Sequence, residues 1–229
     1  MAKSPAGDIP GNDPAEAAAL RAQAAELGVH VDARQVAQLL RLLDELSVWN
    51  RAYNLTAVEA RGTLITHHLL DSLAASRDLA GERIADLGTG AGFPGLPLAI
   101  LHPQRQFTLI DGTAKKIRFV AHAARTLGLR NVEPVAQRAE ALAGDKPFDT
   151  LLARAVTALP ALAELAWPLA RPGTRLIAYK GQRPDQELAA LPPNWRLLEV
   201  RQVKVPGLDA TRHLLLLEAC AAPGARPAA

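Results

Sequence analysis

The chain has 229 residues, a formal net charge of +3 and 49% hydrophobic residues, enough apolar material for one large α/β domain or a domain with a small helical appendage. Its single cysteine excludes an intramolecular disulfide and a thiolate metal cage, and no stretch reaches the roughly eighteen consecutive apolar residues of a membrane span. Mild basicity permits a nucleic-acid partner without proving one, and a monomeric cytoplasmic protein, holding no metal and bound to no membrane, is the expectation.

Residues 1–14 and 219–229 are rich in Pro, Gly and Ala and are expected to be disordered ends. Between them, 15–80 reads as an N-terminal helical cap and 81–218 as the core. The cap begins with a helix over Ala15–Leu27, ended by Gly28. Asp32–Asn50 is amphipathic: Asp32 caps it, Val36, Leu39, Leu40, Leu43 and Leu46 share one face, and Arg34, Gln38, Arg41 and Glu45 stay outside. Trp49 and Tyr53, one turn apart, are expected to pack the cap on the core rather than to stack on a base. A helix over Thr66–Leu79 carries His67, His68 and Asp71. The two histidines lack a second pair of ligands at metal spacing, so His68 is read as a hydrogen-bonding group at the junction of cap and core.

From Glu82 onward, apolar strands alternate with helical stretches, which predicts a doubly wound, mostly parallel sheet of seven strands. The strands are expected near 83–87, 106–110, 131–136, 148–153, 174–180, 196–204 and 212–218, and helices near 94–101, 158–169 and 184–190. Thr113–Leu127 is a clear helix, with Ile117, Val120, Ala121, Ala124 and Leu127 on one face and Gly128 as its stop.

The first of these strands runs into Asp86-Leu87-Gly88-Thr89-Gly90-Ala91-Gly92-Phe93-Pro94-Gly95, an acid and a glycine-rich bend leading into a helix. Glycines let the backbone turn tightly and approach a ligand. A diphosphate prefers bare N–H groups at a positive helix end, whereas Asp86 favours a cationic ligand such as the sulfonium and ammonium of S-adenosylmethionine. The bend also satisfies the dinucleotide pattern through Gly90, Gly92 and Gly95, so alone it does not choose. Asp111 ends the next strand about twenty residues on, where an acid binds ribose in either cofactor class or caps the helix that follows.

Ligands of such sheets sit at the carboxyl ends of the strands. The third strand leads into Ala136-Gln137-Arg138-Ala139-Glu140, which can face an adenine, and the fourth ends in Arg154. That end lacks the Asn/Asp-Pro-Pro-aromatic run used to methylate exocyclic amines. Cys220, in an Ala-rich tail, offers no nucleophile for pyrimidine C6.

Trp49-Asn50 with Asn54-Leu55-Thr56, His68, Leu70-Asp71-Ser72 and the glycine bend resemble the bacterial small-subunit (16S) rRNA guanine-N7 methyltransferases, also called glucose-inhibited division protein B. The resemblance continues through Phe107-Thr108-Leu109-Ile110-Asp111, Lys115-Lys116, Arg118-Phe119, Arg154-Ala155, Lys180-Gly181-Gln182 and Arg212-His213-Leu214, covering about residues 33–218. It implies a class I S-adenosylmethionine-dependent methyltransferase fold with a small N-terminal helical extension, and methyl transfer to N7 of a guanine near the ribosomal decoding centre. Family cofactor contacts fall on Gly88, Phe93, Ala139, Glu140 and Arg154, with Asp86, Gly90 and Asp111 expected alongside. Many members carry a serine after the second strand's acid, where this chain has Gly112-Thr113.

Guanine N7 has a lone pair and no proton, so positioning is expected to dominate and no general base is assigned; Arg154 is the candidate orienting group. Lys115, Lys116, Arg118, Lys180 and Arg183, with Arg51 and Arg61 of the cap, are the candidate RNA contacts. Two other readings stay open: a nicotinamide-dependent oxidoreductase, which NAD(P) would stabilise, and a non-catalytic RNA-binding module, whose binding would ignore the cofactor.

Overall fold

The computed structural model describes residues 13–142, 147–154 and 157–220. Most of the two expected disordered ends therefore lies outside the described residues. Asp13, Pro14, Ala219 and Cys220 do not: Asp13 accepts a bond from the Ala15 N–H, Pro14 is the first residue of α1 (Pro14–Glu26), Ala219 is the buried last residue of the final strand, and the Cys220 N–H donates to the Asn194 carbonyl. Ala155, part of the resemblance, also lies outside the described residues.

α2 (Ala33–Tyr53) starts at a reciprocal cap, in which Asp32 accepts from the Gln35 N–H and Gln35 accepts from the Asp32 N–H. It runs past the expected Asn50 and stops at Asn54, whose φ of 49° is left-handed. The predicted Thr66–Leu79 helix differs more. It begins earlier as α3 (Arg61–Leu64), becomes a π-helical stretch (Ile65–Leu70) and ends as α4 (Asp71–Leu73). A separate 3₁₀ turn, Ser76–Asp78, follows, because tertiary partners claim it: Ser76 bonds His102, Asp78 pairs with Arg201, and the Asp78 carbonyl accepts from Arg175.

The sheet comprises β1 (Arg83–Leu87), β2 (Gln106–Ile110), β3 (Val132–Val135), β4 (Thr150–Arg154), β5 (Arg175–Lys180), β6 (Trp195–Val203) and β7 (Arg212–Ala219). Its order is β3-β2-β1-β4-β5-β7-β6, and only β7 runs antiparallel to its neighbours. Between the strands lie α5 (Gly95–Leu101), α6 (Ala114–Thr126), α7 (Leu159–Ala166) and α8 (Asp185–Ala189), and a 3₁₀ turn, Trp167–Leu169, completes the predicted 158–169 helix.

Strand alternation divides the core. Ile84, Leu109, Leu152, Ile177, Leu214 and Leu216 pack into one cluster with Leu20 of α1, Leu39 and Leu43 of α2, Leu96 of α5 and Phe119 of α6. Ala85, Leu87, Leu151, Ala153, Leu176, Leu215 and Leu217 face the other way, onto Leu159, Leu162 and Ala166 of α7. The N-terminal helices thus share one continuous core with a face of the sheet. Trp49 secures them, its ring 5.7 Å from Phe119, 5.0 Å from His122 and 5.2 Å from Tyr53. Glu45 departs from its expected outward placement: it is buried between Arg41 and His122, which α6 brings to 2.8 Å.

Candidate functional site

Gly88, Gly90 and Gly92 take φ of 67°, 60° and 87°, conformations that L side chains avoid, so the bend needs its glycines. At Gly92 and Gly95 space matters too. A Cβ would meet Leu96 Cδ1 at 2.4 Å at the first, and both Asp86 Oδ2 and Leu109 Cγ at 2.8 Å at the second. The bare Gly95 N–H reaches Asp86 Oδ2 at 2.8 Å, and the same oxygen accepts from the Thr89 hydroxyl at 2.6 Å.

Asp86 is therefore enclosed rather than fronting the bend as its position in the sequence suggests. It shares strand alternation with Ile84 and faces the helices, with 0% exposure. Burial pushes its carboxyl up to about 6, against the downward pull of the Thr89 and Gly95 bonds and of Arg154. Its second oxygen, Oδ1, is buried and has no partner among the described residues.

On the other side of the bend lies a cleft of about 330 Å³ at the carboxyl ends of β1, β2 and β3. Four of the expected cofactor residues, Gly88, Asp111, Ala139 and Glu140, line it together. Asp111 fills both roles read from the sequence at once. One oxygen accepts from the Gly90 N–H at 3.0 Å, the other from the Thr113 N–H at 2.7 Å at the start of α6, and the residue still lines the cleft. Ile110, Gly112 and Thr113 around Asp111 also line it, as do Gln137, Arg138 and Leu165, which were not singled out as cofactor contacts from sequence. Gln137 and Arg138 lie in the loop that already drew attention to Ala139 and Glu140; Leu165 arrives from α7 and carries no motif.

Arg154 and Phe93 sit apart from that cleft, beneath the N-terminal helices. Arg154 Nη1 donates to the His67 carbonyl at 2.8 Å and to Asp71 at 3.1 Å, and its guanidinium lies 5.8 Å from the Phe93 ring centre. Arg212, at the start of β7, holds the other Asp71 oxygen at 2.6 Å. His68 stacks on Phe93 at 4.7 Å and bonds the Thr56 hydroxyl at 3.0 Å, so it does join cap to core. Burial, reinforced by the Arg154 charge, lowers its pKa to about 4, which keeps the ring neutral at pH 7. Among the described residues no cluster of His, Cys, Asp and Glu is placed to hold a metal ion, and no helix is long and apolar enough to cross a membrane.

The basic residues fare unequally. Lys115 donates to the Tyr53 carbonyl at 3.0 Å, Lys116 lies 3.7 Å from Asp111, and Arg183 pairs with Asp185 at 2.7 Å. Lys180 binds Glu187 at 2.8 Å. Arg118 is exposed and has no ion pair among the described residues. Arg61 is claimed by the cap itself, its guanidinium 2.8 Å from both Glu16 and Asp44, and so clamps α3 to α1 and α2 rather than waiting for RNA.

A family model described as rRNA small subunit methyltransferase G matches residues 35–215. The ribosomal RNA small subunit methyltransferase G of Xanthomonas oryzae pv. oryzae is 48% identical over 187 residues, 82% of this chain and 88% of that one. The protein of the same name from Aeromonas salmonicida is 43% identical over 83% of this chain and 91% of its own. Among solved structures, a putative O-methyltransferase from Klebsiella pneumoniae shares the fold with a TM-score of 0.57 at 17% identity, covering 89% of this chain and 97% of that one. TrmN from Thermus thermophilus does so with a TM-score of 0.53 at 23% identity, over 68% of this chain and 53% of its own. The chain belongs to the rRNA small subunit methyltransferase G family.

Proposed function

We propose that this chain transfers the methyl group of S-adenosylmethionine to N7 of a guanine in a loop of 16S rRNA near the decoding centre, acting as a cytoplasmic monomer. The observation that carries the reading is the pairing of a nucleoside-sized cleft with an enclosed acid just across the glycine bend. The cleft offers Asp111 for ribose hydroxyls and Gly88, Ala139 and Glu140 for the base. Asp86, with a buried oxygen lacking a partner, supplies negative potential for a cationic ligand and disfavours a diphosphate. Gly90, Phe93 and Arg154 complete the set toward the methionine end.

When bound, S-adenosylmethionine supplies an electrophilic methyl group on a positively charged sulfur. Guanine N7 presents a lone pair without a proton, so no residue of this chain has to remove one, and its work is positioning. Arg154, fixed by Asp71 and His67, is the orienting group for a carboxylate or for a guanine O6 edge. The methylated purine is a cation. The Asp86 carboxylate and the Phe93 face keep the site favourable to it. Exposed Arg118, with Lys115, Lys116, Lys180 and Arg183 at the ends of β2 and β5, provides phosphate contacts to a splayed-out loop.

The test is incubation with radiolabelled S-adenosylmethionine and small-subunit rRNA from cells lacking the enzyme, followed by mapping of the labelled nucleotide. Label at a single guanine N7 is expected. No label, or label at another atom, overturns the reading.

A further inference from the structure

We propose that the amino-end face of the sheet, opposite the methyl-transfer mouth, is a second RNA-docking surface that binds phosphodiester groups distant from the target guanine. The inference rests on the rRNA substrate proposed above. Two clefts flank the loop joining α5 to β2. The first, of about 490 Å³, is lined by Arg34 of α2, by Gln106 at the start of β2, and by Arg130 and Asn131 just before β3. The second, of about 340 Å³, is lined by Gly28, His30, Arg77, His102 and Arg105.

The two linings together hold four guanidinium groups and one carboxylate, that of Asp32, which is occupied in capping α2. That surplus of three positive charges equals the formal +3 of the whole chain, so all the residues outside these two linings sum to zero. None of Arg34, Arg77, Arg105 and Arg130 has an ion pair among the described residues, unlike Lys116, Lys180 and Arg183 near the mouth. Arg34, Arg77 and Arg130 are exposed. Arg105 is half-buried and lines the second cleft, and its Nη1 is shielded from water with no acceptor.

The fold shapes this arrangement. Gly28, left-handed at φ +70°, lets the Arg77 guanidinium lie on the backbone, since a Cβ there would meet Nη1 at 2.6 Å. His102 is kept below its usual pKa by burial and then by the Arg105 charge, so the positive surplus comes from arginines and persists at neutral pH. Planar guanidinia lacking acid partners suit bidentate phosphate contacts. A five-residue strand at about 3.3 Å per residue separates this face from the mouth by about 17 Å, so the two ends of the sheet meet different RNA segments.

Two paired variants of the full chain, R34Q/R130Q and R77Q/R105Q, test it alongside their lysine counterparts. Methyl transfer and binding to protein-free 16S rRNA and to small subunits are measured against salt. Each glutamine pair is expected to raise KM for rRNA, to leave KM for S-adenosylmethionine and kcat at saturating RNA unchanged, and to make the log–log salt slope of RNA affinity shallower by about 1.5. The lysine pairs are expected to retain most of the affinity. Unchanged KM and slope in both glutamine pairs overturn the inference. So does equal weakening by lysine and glutamine with a lowered melting temperature, which marks a packing role. An effect confined to small subunits, absent with protein-free rRNA, overturns it in favour of a protein partner. Failure of the wild-type chain to methylate rRNA at all counts against the proposed function instead.

Discussion

Replacing Asp86 by asparagine separates the electrostatic cost of the carboxylate from its use. In the folded chain the group keeps its proton up to about pH 6, whereas its ordinary pKa is 3.8. A gap of about 2 units amounts to about 3 kcal/mol by which ionising Asp86 weakens the fold. The cost is absent below pH 3.8, grows as pH rises and is complete above about pH 6. With 0% exposure, solvent does not screen it. Asparagine keeps a carbonyl oxygen for Thr89 and Gly95 but places an amide where Oδ1 lacks a partner, an unmet donor that costs about 1–3 kcal/mol at every pH. The pH-dependent part is therefore the clean signal. Urea-unfolding free energies of variant minus wild type are expected to be more favourable to the variant at pH 8 than at pH 5 by about 1.5 kcal/mol. Calorimetry at pH 8 is expected to show S-adenosylmethionine affinity reduced about tenfold or more, since the cation loses its countercharge. A stability difference flat in pH would refute the buried ionised carboxylate, and wild-type affinity would refute its part in cofactor selection.

Gly95→Ala places a methyl group 2.8 Å from both Asp86 Oδ2 and Leu109, and is expected to cost about 1–3 kcal/mol in chemical denaturation and to abolish cofactor binding. Arg154→Ala removes one of the two guanidinia on Asp71, which is 1% exposed; with Arg212 still in place, a loss of about 1–2 kcal/mol is expected together with a fall in methyl transfer under saturating cofactor. Unchanged turnover would remove Arg154 from the site. Trp49→Ala strips the aromatic contact between α2 and α6 and is expected to lower stability by about 3 kcal/mol, read from urea midpoints, while S-adenosylmethionine affinity in the folded protein stays near wild type.

β1, β2, β4 and β5 were legible because each is a short, mainly apolar run bounded by turn residues, and the glycine bend marked where the sheet opens to a ligand. Four of the residues expected to contact a cofactor, Gly88, Asp111, Ala139 and Glu140, line one cleft. The enclosure of Asp86 was legible too, since alternation with Ile84 already assigns its side chain to the helix-covered face. Other features were not readable in principle from local pattern. The Asp71–Arg212 contact joins residues 141 apart, and Arg61–Glu16 joins residues 45 apart. Nothing in Ile65–Leu70 distinguishes a π-helical stretch from an ordinary helix; its geometry is settled by what the stretch must reach, including the His67 carbonyl that receives Arg154.

Those long-range contacts change what the N-terminal helices are for. At the carboxyl end of the sheet, Asp86, Arg154 and Tyr179 project toward the helical layer, where a bare strand end would face water. Each polar group then needs a partner, and the segment from Arg61 to Leu73 supplies them: Asp71 and the His67 carbonyl for Arg154, the Ser72 carbonyl for the Tyr179 hydroxyl at 2.9 Å, and the His68 ring for Phe93. Without that segment, Arg154 and Arg212 would lose the carboxylate between them. The surroundings of Arg154 and Phe93 are therefore made jointly by strand ends and by the segment from Arg61 to Leu73.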